Sequence, residues 1–223
     1  MIVRIGFAPR FPGMDIKTFF RLWDEHAQLA SKVPLRLGYV QNFAVLGDGR
    51  HLLPYPGFDV CAETIYESAS AMDEAFSTVE SESSITDHDK FVNNDGYCHV
   101  ISHRSVKVGG RPTESAVKLM TFMRKHPNNQ REQLPATLDA EYSNVVAQIR
   151  PMRHEQFIVV PSAAKVAFDA VDIIWFAKPE DALAYVSSET AHRASLTIAC
   201  HMIGSERLIA RPKTRVEPPD LGY

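Results

Sequence analysis

The segment FFRLWDEHAQLA, residues 19–30, sets one imidazole where a helix keeps its apolar side chains. At a 3.6-residue period Phe19, Phe20, Trp23, Ala27 and Ala30 share one face, and His26 falls inside that arc. Asp24, Glu25 and Gln28 take the opposite side. An imidazole titrates near neutrality and can take or give a proton without a cofactor. Burial disfavours its charged form, so a buried His26 stays neutral and able to act as a base. The competing reading is a core histidine bonded to a carbonyl.

Other residues could serve such a base. Tyr39 and Gln41 alternate to the same side of one strand. If that side faces the helix, a phenol and an amide lie across from His26 and could hold a developing enolate or phenolate oxygen. Glu63 and Asp59 share a face of the following strand and could orient the imidazole or act as a second acid. Asp59 recurs as Asp169, which argues equally for a strand-start role in both places. Trp23 and Phe19 are core residues that could also form the wall of a substrate site. His51 falls in a long loop, and nothing in the pattern fixes the side taken by His88 or His99. There is no HExxH zinc motif, Gly-rich phosphate loop or GxSxG elbow. Neither a metal, a bound cofactor nor a nucleophilic serine is expected.

The elements that would position these groups come in the same order twice. Strands are predicted at 2–9, 37–46, 58–67 and 96–108, with a long helix at 15–32 and a short one at 70–79. Gly109, Gly110 and Pro112 then break the pattern. It restarts with strands at 116–123, 154–160, 168–177 and near 200–211, and helices at 131–150 and 179–188. Pro135 suits only the first turn of its helix. FDVCAETIYE and FDAVDIIWFA lie 110 residues apart and both begin Phe-Asp. Two βαββαβ units follow, residues 1–110 and 111–223. Each leaves one sheet face bare, and stacking the two sheets would cover both.

Composition narrows the partners. The 223 residues carry a net charge of −3 and 45% hydrophobic side chains. That is enough for one large domain or two small ones. There is no basic excess for nucleic acid and no Lys/Arg run for a membrane surface. No apolar stretch nears the roughly 20 residues of a spanning helix. The opening MIVRIGFAP reads as a strand without signal-peptide layout, and Cys61, Cys98 and Cys200 form no CxxC pair. A cytoplasmic protein acting on a small molecule is the expectation.

Residues 12–42, PGMDIKTFFRLWDEHAQLASKVPLRLGYVQN, resemble the first helix and second strand of the EthD family, within the dimeric α/β-barrel superfamily. The resemblance rests on Trp23, His26, Ala27, Leu29, Pro34 and Tyr39-Val40-Gln41-Asn42. AETIYES at 62–68 and DHDKFVN at 87–93 continue it in order, although His88 and Asn93 stand where the family usually has acids. It implies an α+β fold, two fused ferredoxin-like units forming a pseudo-dimeric α/β barrel in one chain, with substrate held between helices and sheet. Such pseudo-dimeric chains can pair again as a homodimer. The implied activity is cofactor-independent chemistry on a small cyclic or aromatic metabolite: isomerisation, dehydration or lyase chemistry in catabolism, with His26 as base. Other branches of the superfamily suggest a cofactor-free monooxygenase, or a haem-handling protein with His26 as axial ligand. A non-catalytic ligand-binding protein is the third reading. The second half matches in layout alone. Its long helix has no histidine, and Gln156 is expected near the place of Tyr39.

Overall fold

The computed structural model describes residues 1–129, 133–160 and 166–219. Its first half runs β1 (Ile2–Ala8), α1 (Ile16–Ala30), β2 (Gly38–Ala44), a small hairpin β3 (Leu46–Gly47) and β4 (Arg50–His51), β5 (Val60–Tyr66), α2 (Ala69–Phe76), α3 (Val79–His88) and β6 (Cys98–Val108). The second half runs β7 (Val117–Lys125), a helix from Leu134 to Ala147, β8 (Arg153–Val159), β9 (Ala170–Phe176), α6 (Pro179–Val186), α7 (Glu189–Ile198) and β10 (Met202–Val216). The Leu134–Ala147 helix has a π-helical middle, Leu138–Tyr142, between the short segments α4 and α5.

Eight strands pair antiparallel in the order β1-β5-β2-β10-β7-β9-β8-β6, and β6 closes on β1. The fold is therefore a closed barrel of two βαββαβ halves. The expectation of two stacked sheets needs one correction. The halves do face each other, but they are also stitched edge to edge, β2 to β10 and β6 to β8, into a single sheet. Closure leaves no unpaired strand edge among these eight, which is what two separate sheets would have exposed.

Period-2 alternation then sorts the side chains. Val3, Ile5 and Phe7 of β1 point into the barrel, while Arg4, Gly6 and Ala8 face the helices. The repeated Phe-Asp pairs explain themselves here. Phe58 and Phe168 meet inside the barrel with Phe7 and Phe122, and ring centroids of successive pairs lie 5.0–5.4 Å apart. Asp59 accepts from the backbone N–H of Arg10 and from its guanidinium, and Asp169 accepts from the backbone N–H of Lys125. Both aspartates tie the end of a neighbouring strand.

One end of the barrel is apolar and the other ionic. Lys118, 2% exposed, is paired with Glu63 and lies 4.7 Å from the Trp175 ring centroid. Glu155 is held by Arg104, Arg153 and the Trp175 indole N–H. Burial alone would raise the Glu155 pKa, but the cations around it hold the carboxyl below its usual range.

Sequence periodicity missed two helices, α3 and α7. VESESSITDH has almost no apolar stripe, yet Thr78 caps its first turn by accepting from Ser81 N–H, and Ser188 does the same for α7. The loop predicted between β2 and β5 contains the β3–β4 hairpin, turned on Asp48 and Gly49, both at positive φ.

Candidate active site

Helices α1 and α3 pack side by side over the outer face of β1, β5 and β2, and a cavity of about 560 Å³ opens between them and the sheet. Trp23, His26 and Ala30 of α1 form one wall, and Ser84 and His88 of α3 another. Arg4, Tyr39, Ala62 and Thr64 form the floor, with Phe76 and Tyr97 at the sides. Gly6 makes room for Tyr97: a Cβ there would lie 2.7 Å from its hydroxyl. Tyr97 thereby crosses the strand and accepts a hydrogen bond from Arg4, 2.8 Å away.

His26 is 5% exposed, and its Nδ1 lies 3.0 Å from Asp87 Oδ2. A carboxylate can only accept, so Nδ1 carries the proton and Nε2 presents a lone pair. Ser84 Oγ stands 3.5 Å from that nitrogen, at the limit of a hydrogen bond. Burial lowers the His26 pKa below its ordinary value, and Asp87 opposes the shift. Burial would raise Asp87, but its bonds to His26 and Lys90 hold it below the usual carboxylate range. The pair is thus neutral imidazole beside carboxylate.

Tyr39 is fully buried, and burial pushes its phenol up to about 12. It is a proton donor at neutral pH, and the Arg36 guanidinium lies 5.1 Å from its ring centroid. His88 stacks edge-on against Tyr97 at 4.9 Å. Burial lowers its pKa while Asp89 partly restores it. Two buried nitrogens of the cavity-wall residues, Trp23 Nε1 and His88 Nε2, have no hydrogen-bond partner among the described residues.

Of the residues singled out in the sequence, His26, Tyr39 and Trp23 come together around this cavity. Four others sit elsewhere. Gln41 shares the Tyr39 face, but its amide donates to the Trp23 carbonyl at 2.6 Å and accepts from Arg215 at 2.8 Å. It fixes α1 on the sheet. Phe19 is buried against Trp23 and Phe91. Glu63 points into the barrel toward Lys118 and Asn42. Asp59 ties Arg10 and His51. Neither acid orients His26. Asp87 does, from a helix whose weak stripe hid it. Arg4 and Arg36 were also passed over, because a single arginine on a strand or in a turn carries no sequence signal.

The second half has filled the same space. Strand pairing aligns His154, not Gln156, with Tyr39, since Tyr39 faces Thr64 and His154 faces Ile174. Gln156 corresponds to Gln41. Where the first half has Ala62, the second has Asp172, 1% exposed, accepting from Tyr142 at 3.0 Å and Gln156 at 3.2 Å. His154 Nε2 lies 2.7 Å from the same carboxylate. A small residue leaves a hollow, whereas an aspartate with three partners occupies it. Among the described residues no group of three or more His, Cys, Asp or Glu is placed to hold a metal ion, and no helix is long and apolar enough to cross a membrane.

Residues 11–95 match the family model of the EthD domain. That stretch contains His26, Tyr39, Ser84, Asp87 and His88. No curated protein matches the chain. Among solved structures, an anthrone oxidase-like protein superposes with a TM-score of 0.68 at 10% identity, covering 100% of this chain and 96% of its own. A candidate monooxygenase of Fusobacterium nucleatum subsp. nucleatum gives 0.64 at 9% identity, with coverages of 100% and 96%. A chlorite dismutase mutant of Candidatus Nitrospira defluvii gives 0.56 at 9% identity, with coverages of 94% and 89%. These likenesses show the fold, an α/β barrel filled by one chain.

Proposed function

We propose that the EthD-like first half is a cofactor-independent enzyme in which His26 removes a proton next to a carbonyl of a small cyclic or aromatic metabolite. One observation carries this reading. A buried neutral imidazole, its tautomer set by Asp87, lines a hollow walled with aromatic rings, and its lone-pair nitrogen lies beside Ser84, which lines the same hollow. Proton abstraction leaves an enolate or phenolate oxygen, and Tyr39, still protonated at neutral pH, donates to it. Return of the proton elsewhere gives isomerisation, and loss of a β-leaving group gives dehydration or lyase chemistry. The second half closes the barrel and contributes rigidity.

The test needs no knowledge of the physiological substrate. Cyclic ketones and anthrone-type carbon acids are incubated with the protein in D2O, and deuterium uptake beside the carbonyl is followed by NMR. Protein-dependent exchange that disappears in His26→Gln is the expected result. Exchange with none of these, or exchange indifferent to His26, removes the proposal.

Two further results are expected in the same assay. Tyr39→Phe loses about tenfold to a hundredfold in rate, since it removes one donor to the oxyanion while keeping the ring. Asp87→Asn acts through the imidazole. Asp87 holds the His26 pKa up against burial, so its removal lowers that pKa further. The rate falls on the acid side as His26 gains its proton. That limb lies below pH 6.5 in the native protein and moves to lower pH in Asp87→Asn. The plateau drops by about tenfold because the base is weaker. A limb that stays in place would show that another group titrates.

The anthrone oxidase-like and monooxygenase neighbours favour a variant of the same first step. A carbanion formed by His26 could react with O2, as in a cofactor-free monooxygenase, the ketone becoming a quinone with loss of water. Oxygen consumption during turnover separates this outcome from isomerase or lyase chemistry. A haem-handling role fits the residues less well. His26 Nε2 is the nitrogen that would hold a haem iron, and Ser84 Oγ already stands 3.5 Å from it. A visible absorption band in the purified protein would reverse this judgement.

A further inference from the structure

Two arginines line the His26 cavity, and among the described residues no carboxylate pairs with either. Arg4 lies over the Phe76 ring at 5.0 Å and gives one N–H to Tyr97, 2.8 Å away. Arg36 lies over Tyr39 and gives its N–H groups to the Tyr66 hydroxyl and the Ala30 carbonyl. Among the described residues neither has a carboxylate within ion-pair distance. The carboxylates nearby are taken: Asp87 by His26 and Lys90, Asp89 by His88 and Asn94. Guanidinium groups stay charged at any working pH, and a half-buried, water-poor setting strengthens their field. The wall residue Trp23, only 3% exposed, also has a buried N–H, Nε1, with no acceptor among the described residues. A wall of aromatic rings and two cations without a carboxylate partner among the described residues describe the complement of one kind of ligand.

We infer that the cavity selects a planar aromatic anion, a carboxylate or acidic phenol, whose charge faces Arg4 with support from Arg36 and whose ring stacks against Trp23, Phe76 and Tyr97. This rests on the cavity being the substrate site. It adds that the substrate carries its negative charge before His26 acts. Arg4 is the stronger anchor because Arg36 already spends two of its N–H groups on the protein, Arg4 one.

The experiment compares 2-naphthoate with 2-naphthamide, equal in shape and different in charge, by isothermal titration calorimetry at neutral pH. The native protein, Arg4→Gln, Arg36→Gln and the double variant are each titrated, with near-ultraviolet circular dichroism to check the fold. The native protein is expected to bind the naphthoate about tenfold or more tightly than the amide, the increment of one charge-assisted hydrogen bond. Arg4→Gln should remove most of that preference and the double variant all of it. Amide binding should change by less than about threefold, since the stacking walls remain. Raising the salt concentration should narrow the preference. Equal binding of the two ligands, binding of neither, or a preference that survives in the double variant overturns the inference. His26→Gln separates this idea from the proton-transfer reading. His26→Gln should keep the anion preference while losing exchange. If the native protein itself shows the preference but no deuterium exchange, the chemistry assigned to His26 is wrong and the ligand class stands. Exchange without anion preference gives the converse.

Discussion

His26→Gln is expected to lower kcat/KM by about 10²–10⁴-fold on the substrate of this protein, while the unfolding midpoint in urea hardly moves. The size of the loss is that of general base catalysis. The stability should hold for two reasons. A glutamine amide can still donate toward Asp87, and Asp87, with a quarter of its side chain exposed, keeps water as an alternative partner. A residue that matters only to packing would show the opposite pattern, with stability falling and rate per folded molecule unchanged. The geometry already departs from that ordinary case. The imidazole partner is a carboxylate on a second helix, and the residue lines a cavity. Parallel changes in the second half, Tyr142→Phe or Gln156→Leu, should leave the rate nearly untouched, because their polar atoms end on Asp172. A His26→Ala protein that remains active on its substrate would end the assignment.

Much of the frame was legible because it is written in periods. The alternation in β1, β2 and β5 and the stripe of α1 predict where each strand and helix runs, and the repeated Phe-Asp marks the two halves. Barrel closure was legible through the family resemblance, which implied an α/β barrel, and not in any local pattern. It depends on which edge strands pair, and pairing is a long-range choice that no local window contains. The helices α3 and α7 were hidden for a different reason. Their sequences hold position through caps and tertiary packing rather than through an apolar stripe. That mattered for the site, since α3 brings Ser84, Asp87 and His88. His26 itself stood out because it contradicted its surroundings. Arg4 and Arg36 contradict theirs as well, but only once the fold shows that no carboxylate among the described residues lies opposite. Glu63 shows the reverse case: one strand face looked like a site, and the barrel turned it inward to Lys118.

That inward turn leads to the largest expected change in stability. Lys118→Met should destabilise the protein by about 3–5 kcal/mol, the usual cost of leaving a buried charge without its partner. Lys118 is 2% exposed and Glu63 8%, so the pair is largely withdrawn from solvent. Asn42 still donates to Glu63 at 2.8 Å, but a single neutral donor does not balance a carboxylate in that setting. Methionine keeps the length of the lysine stem and its contact with Trp175, so the loss should reflect charge rather than a cavity. The double variant Lys118→Met/Glu63→Gln makes the argument testable. Glutamine removes the stranded charge, keeps the carbonyl that Asn42 reaches, and should recover most of the stability. Urea unfolding of the native protein, both single variants and the double variant gives the coupling between the two residues directly. A double variant as unstable as Lys118→Met alone would mean that the lysine stabilises the barrel by packing and its contact with Trp175, and that the ion pair is incidental.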